Sequence, residues 1–114
     1  MKKLNFLVQI IAFAVSITSC STTVIEEVVI LGPVTYTTNV SAIIRNNCLP
    51  CHAGTSPSAG LNLETFEGVQ NSTENGNLLA RINSVSNPMP SSGKMSDILI
   101  NTIEEWAMQG YLED

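Results

Sequence analysis

A small all-α domain is what this sequence predicts, and three observations lead to it. Apolar residues recur at helical spacing in separate stretches, and segments rich in Gly, Pro, Ser and Asn divide those stretches. The alternation of strand and helix patterns that marks an α/β chain is absent. The 114 residues accommodate one modest domain and leave little room for a second hydrophobic core.

The first helix is expected to start near Thr38 or Asn39, either of which can cap it, with Val40, Ile43 and Ile44 on one face. It leads straight into Cys48. A turn-rich loop from Ala53 to Gly60 follows, containing Pro57 and two glycines. Leu61 and Leu63 precede a short helical piece near Glu64 to Val69, and the polar stretch Gln70 to Asn77 reads as a surface loop. Leu78, Leu79 and Ile82 mark another helix of about two turns, which breaks at Asn87-Pro88. Two prolines keep Pro88 to Lys94 from being helical. Ser96 then caps the last helix, which closes at Gly110.

That last helix has the clearest periodicity. Leu99, Ile103, Trp106 and Gly110 share a stripe, and Asn101, Glu104 and Glu105 lie away from it. Trp106 reads as a packing residue, and the first and last helices are expected to pack together. Met95 and Met108 both look helical.

The N-terminus is a targeting signal by composition. Lys2 and Lys3 supply positive charge, and the 14 positions from Leu4 to Ile17 form an apolar run interrupted by Asn5, Gln9 and Ser16. A membrane span needs roughly 20 apolar residues, so the run suits the core of a signal peptide. Its ending, Ile17-Thr18-Ser19-Cys20, resembles a bacterial lipobox, in which the cysteine receives diacylglycerol and becomes the mature N-terminus. The expected organisation is a lipoprotein signal peptide over 1–19, a tether over 20–33 and one domain over 34–114. The tether closes on Gly32-Pro33, and its β-branched segment Val28 to Leu31 also suits an extended strand against the domain or the lipid surface.

Removing the signal leaves Arg45, Arg81 and Lys94 against ten acidic residues, a net charge of −7. Such a surface argues against nucleic acid as a partner and steers encounters toward a basic docking face, while also serving plain solubility.

The chemistry is concentrated in Cys48-Leu49-Pro50-Cys51-His52. Two thiols three positions apart reach two vinyl groups on one porphyrin edge, and the adjoining imidazole meets the iron from one face. The pattern is that of one covalently attached haem c. Other uses of the motif fit less well: a thioredoxin-like pair belongs to a strand–helix alternation. A zinc site needs four ligands, and beyond Cys48, Cys51 and His52 the domain offers no further Cys or His. A Cys48–Cys51 disulfide would be tight and would leave His52 without a role. With two of the three cysteines used here, lipidation accounts for Cys20.

A second axial ligand is expected from Met89, which lies 37 residues after His52 in the stiff segment Pro88-Met89-Pro90. Filling a core gap is the other common use of a methionine. Leu61, Leu63, Leu78, Leu79 and Ile82 are expected to line the haem, a role that overlaps with general core. Arg81 reads either as a partner for a haem propionate or as an exposed helix arginine.

From about Val34 to Gly110 the chain resembles the small mono-haem class I cytochromes c of Bacteroidota lipoproteins. The resemblance rests on an apolar helix running into CxxCH, then Gly60 to Leu63, the Leu-Leu-x-Arg-Ile run Leu78 to Ile82, the Pro-Met-Pro loop, and a last helix bearing Trp and ending in Gly. It implies the class I fold with its terminal helices packed together around the haem, a His52/Met89 axial pair, and electron transfer. One departure is that Pro57 precedes Gly60, whereas the family often carries a Gly-Pro pair. The acceptor for the His52 Nδ1 proton is therefore left open, although some acceptor is expected.

The expected function is one-electron carriage between redox partner proteins by a non-enzymatic, monomeric, lipid-anchored domain facing the periplasm from the inner or outer membrane. The competing reading is a haem enzyme or gas sensor with an open sixth position, and a third is a domain whose haem is structural. Intact mass spectrometry is expected to show acyl chains on a mature N-terminal Cys20, and Cys20→Ser to release soluble protein. An unmodified N-terminus at another residue would exclude the anchor.

Overall fold

The structure, a computed structural model, describes residues 32–114. The expected signal peptide, lipidation site at Cys20 and tether up to Leu31 lie outside the described residues. The described chain is all-α, with four α-helices and no strand: α1 (Ser41–Asn47), α2 (Phe66–Glu74), α3 (Leu78–Asn83) and α4 (Asp97–Met108). A π-helical turn over Tyr36–Val40 runs directly into α1, and a single 3-10 turn covers Ser58–Gly60.

The first helical stretch begins earlier than the sequence suggests. Thr35, not Thr38 or Asn39, is the cap: its hydroxyl accepts the Thr38 N–H at 3.2 Å, and its own N–H donates to Asn39 Oδ1 at 2.9 Å. Asn39 thus closes the reciprocal half of the cap from inside the helix.

A larger correction concerns Gln70 to Asn77, since α2 continues through Glu74. Thr65 caps it by accepting the Gly68 N–H at 3.1 Å, which sets the helical phase so that Val69, Ser72 and Thr73 face inward and are buried. The Thr73 hydroxyl donates to the Val69 carbonyl at 2.7 Å, so this polar side chain is paired where it is buried. Helix α3 ends at Asn83, four residues before Asn87. Met95 is not helical: it precedes α4 and is buried in the core. Ser96 does occupy the cap position of α4, but its side chain makes no capping bond.

Helix α4 is the centre of the packing and contacts the π-turn, α2 and α3. Its buried stripe is Ile100, Ile103 and Trp106, with Leu99 at the edge. Trp106 is fully buried and has three aromatic rings around it, Tyr36, Phe66 and Tyr111, at centroid distances of 5.8, 6.0 and 5.0 Å. Its indole N–H donates to the Leu112 carbonyl at 2.8 Å.

Beyond α4 the chain reverses at Gly110 and Tyr111, both with positive φ, and returns along the first segment. The Tyr36 N–H donates to Leu112 O at 2.8 Å, the Thr37 N–H to Glu113 O at 3.0 Å, and the Val34 N–H to Gln109 Oε1 at 2.8 Å. The two ends of the domain are therefore clasped together.

Gly68 offers a direct test of this packing. A Cβ there would stand 2.8 Å from the Asn62 carbonyl oxygen, a backbone atom with no easy retreat. Gly→Ala inside a helix ordinarily gains up to about 1 kcal/mol. Here the sign reverses, and Gly68→Ala is expected to destabilise by roughly 1–3 kcal/mol, measured by denaturant unfolding.

Candidate functional site

Cys48 follows α1 without a break. Its N–H donates to Ile44 O at 2.8 Å, and its own carbonyl accepts the N–H groups of Cys51 at 3.1 Å and His52 at 2.9 Å. The motif is thus a tight turn on the end of α1, which directs all three chemical side chains to one place. Both thiols are free, with Cys48 half-buried and Cys51 exposed.

From His52 the chain leaves on a ten-residue excursion and comes back to it. The Leu63 N–H donates to His52 O at 2.8 Å, and the Ser58 N–H to Cys51 O at 2.9 Å. Asn62 and Glu64 close the loop: Glu64 Oε2 accepts from the Gly54 N–H at 3.0 Å and from Asn62 Nδ2 at 2.7 Å. These same bonds hold the Glu64 carboxyl below its usual range, the Asn62 contribution being the larger. The return sets the Leu61 carbonyl 3.2 Å from His52 Nδ1. A carbonyl can only accept, so Nδ1 is the donor in this contact and Nε2 is the ring nitrogen left for a ligand. Leu61 is therefore the acceptor that the sequence left open.

These elements border a cavity of about 680 Å³, within the range of roughly 300–1,000 Å³ typical of cofactor sites. Cys48, Cys51, His52 and Met89 all line it, with Leu61, Leu63, Leu78 and Ile82 as its apolar wall. Leu79, expected on the same wall, does not line it. Leu78, Arg81 and Ile82 follow i, i+3, i+4 spacing and share a helix face, and Leu79 lies one position off it, half-buried against the core. Of the rival methionines, Met95 is buried elsewhere and Met108 is 75% exposed, and neither lines the cavity. Arg81 is the only Asp, Glu, Lys or Arg on the lining. Ser72 also lies there and was missed because its segment reads as loop; its place three residues after Val69 on one helix face is the signal that could have found it.

Trp106 is a packing residue: it lies in the aromatic cluster and does not line the cavity. Among the described residues no three His, Cys, Asp or Glu side chains converge to hold a metal ion, and no helix is long and apolar enough to cross a membrane. Comparison with known proteins finds no matching family model, no similar curated protein and no similar solved structure.

Burial pushes the Cys48 thiol up to about 11. At neutral pH this thiol is therefore protonated, unlike the attacking cysteine of a dithiol oxidoreductase, whose value is depressed. In the protein without haem, Cys48 is expected to alkylate much more slowly than Cys51 at pH 8, with a rate that rises about tenfold per pH unit and levels off only near pH 11, as read by peptide mass spectrometry. Rapid alkylation of Cys48 at neutral pH would revive the thiol-redox reading.

Proposed function

We propose that this domain is a class I c-type cytochrome that carries one electron at a time through a single haem c attached at Cys48 and Cys51. The observation that carries the reading is that both thiols, the only histidine and Met89, 37 residues further on, line one largely apolar cavity. The donor set fits the group: two thiols for covalent attachment, an imidazole oriented through Nδ1 by a backbone carbonyl, and a soft thioether.

Haem, when bound, supplies a reversible ferrous/ferric couple. The chain's own residues determine how that couple behaves. The thiols of Cys48 and Cys51 would hold the group covalently, and the turn on α1 sets His52 beside them. The Leu61 carbonyl orients the imidazole through Nδ1, so that Nε2 would be the nitrogen offered to the group. Met89, on the lining of the same cavity, would supply a thioether to the group, a soft donor that favours the reduced state. With His52 and Met89 both given to the iron, no coordination position would remain for a substrate, which is why the role is carriage and not catalysis. Leu61, Leu63, Leu78 and Ile82 exclude water from the group. The anchor at Cys20 confines the carrier to a periplasm-facing membrane surface, and its acidic surface favours redox partners with a basic docking face.

The test is expression with a c-type maturation system. Haem is expected to stay attached under denaturing conditions, and replacing both Cys48 and Cys51 by Ala to abolish attachment. The ferric protein is expected to show a sulfur-to-iron charge-transfer band that Met89→Ala removes, with a lowered potential and new access for cyanide, while Met95→Ala and Met108→Ala keep the band. A high-spin ferric spectrum in the parent would instead support a haem enzyme or sensor.

A further inference from the structure

We propose that Arg81 is the positioning residue for Met89, acting through Asn87; this inference rests on the cytochrome reading of the same cavity. Met89 lies in a segment with neither helix nor strand, so no regular ladder holds it. Its N–H donates to the Arg81 carbonyl at 3.0 Å, and the same carbonyl accepts the Ser84 N–H at 3.3 Å. The Arg81 guanidinium reaches over the loop, Nη2 donating to Asn87 Oδ1 at 3.2 Å, and the Asn87 N–H donates to Ser84 Oγ at 3.0 Å. The six residues from Ser84 to Met89 are thus folded back on the last turn of α3 by bonds that converge on Arg81.

Apolar burial does not hold the apex of this loop, because Val85 is 91% exposed. Nor does a carboxylate occupy the guanidinium: among the described residues the one ion pair is Lys94 with Asp97. Arg81 therefore spans the two features that matter, the cavity wall on one side and the Met89 loop on the other. Its backbone bond to Met89 persists in any variant, whereas the bond to Asn87 exists only with this side chain. Losing it favours an open loop in which the thioether leaves the cavity wall. A partner for an anionic group of the haem would give Arg81 a different signature, one in which Asn87 has no part.

The test uses the haem-loaded full chain and four forms: parent, Arg81→Ala, Asn87→Ala and the double variant. The readouts are the rate of cyanide binding to the ferric form and the temperature at which the charge-transfer band is lost. One exposed, charge-assisted hydrogen bond corresponds to roughly three- to tenfold in the loop's opening equilibrium. Each single variant is expected to bind cyanide faster by that factor and to lose the band at lower temperature. The double variant is expected to match the singles, since both break one bond. Asn87→Asp, which keeps an acceptor, is expected to stay near the parent. A silent Asn87→Ala beside a fast Arg81→Ala would overturn the inference in favour of a direct charge role, and multiplicative effects would overturn it as well. A parent that lacks the band overturns the ligation reading itself, and an intact band with unresponsive variants overturns only the role of Arg81.

Discussion

Trp106 cannot be buried by its own helix. An indole needs apolar contact on both faces and along its edges, with a partner for its N–H, and α4 supplies only one side. The remainder comes from Tyr36 at the start of the first helical stretch, Phe66 at the start of α2 and Tyr111 after α4, with the Leu112 carbonyl taking the N–H. Gathering these groups fixes where two elements begin and how the chain turns after α4. Once Tyr36 is placed against Trp106, α1 has its direction, and the cysteine turn is carried on the far end of that helix. The geometry of the cavity is in this sense set from the opposite end of the domain.

The cavity itself is built differently. Its apolar wall belongs to α3 and to the returning chain at Leu61 and Leu63, but its chemical groups sit on two irregular segments, 48–63 and 84–95. Neither segment has a core of its own. The first is closed by backbone bonds between His52 and Leu63 and by the Asn62–Glu64–Gly54 cluster, and the second by the bonds that meet at Arg81. In a domain this small, apolar area is scarce. Hydrogen bonds do the positioning where burial cannot.

Much of this was legible in the sequence and some was not, for identifiable reasons. The stripe on α4 could be read because Ile103 and Trp106 obey a local period, and the attachment motif because its spacing is itself the chemistry. The cap at Thr35 was hidden among several Thr and Asn residues in a row, any of which can cap, and the reciprocal bond from Asn39 decides among them. The second half of α2 was hidden because Gln70 to Glu74 has weak helix propensity, and only packing of Val69, Ser72 and Thr73 against the rest of the fold overrides it. Leu78 and Leu79 are equivalent on paper. Which of them faces the cavity depends on the rotation of α3 against α4, a tertiary quantity. The carbonyl that orients His52 depends on how a ten-residue loop closes, which no local pattern encodes.

The clasp between the two ends of the domain has a mechanical consequence. A pull applied at residue 32 is transmitted first to the Val34–Gln109 bond and then to the paired backbone at Tyr36–Leu112 and Thr37–Glu113, all of which lead into α4 and its buried indole. The turn holding Cys48, Cys51 and His52 lies a helix length further along the chain and is outside that load path. Force entering at residue 32 is borne by the terminal pairing and the aromatic cluster, and the groups that define the cavity keep their spacing.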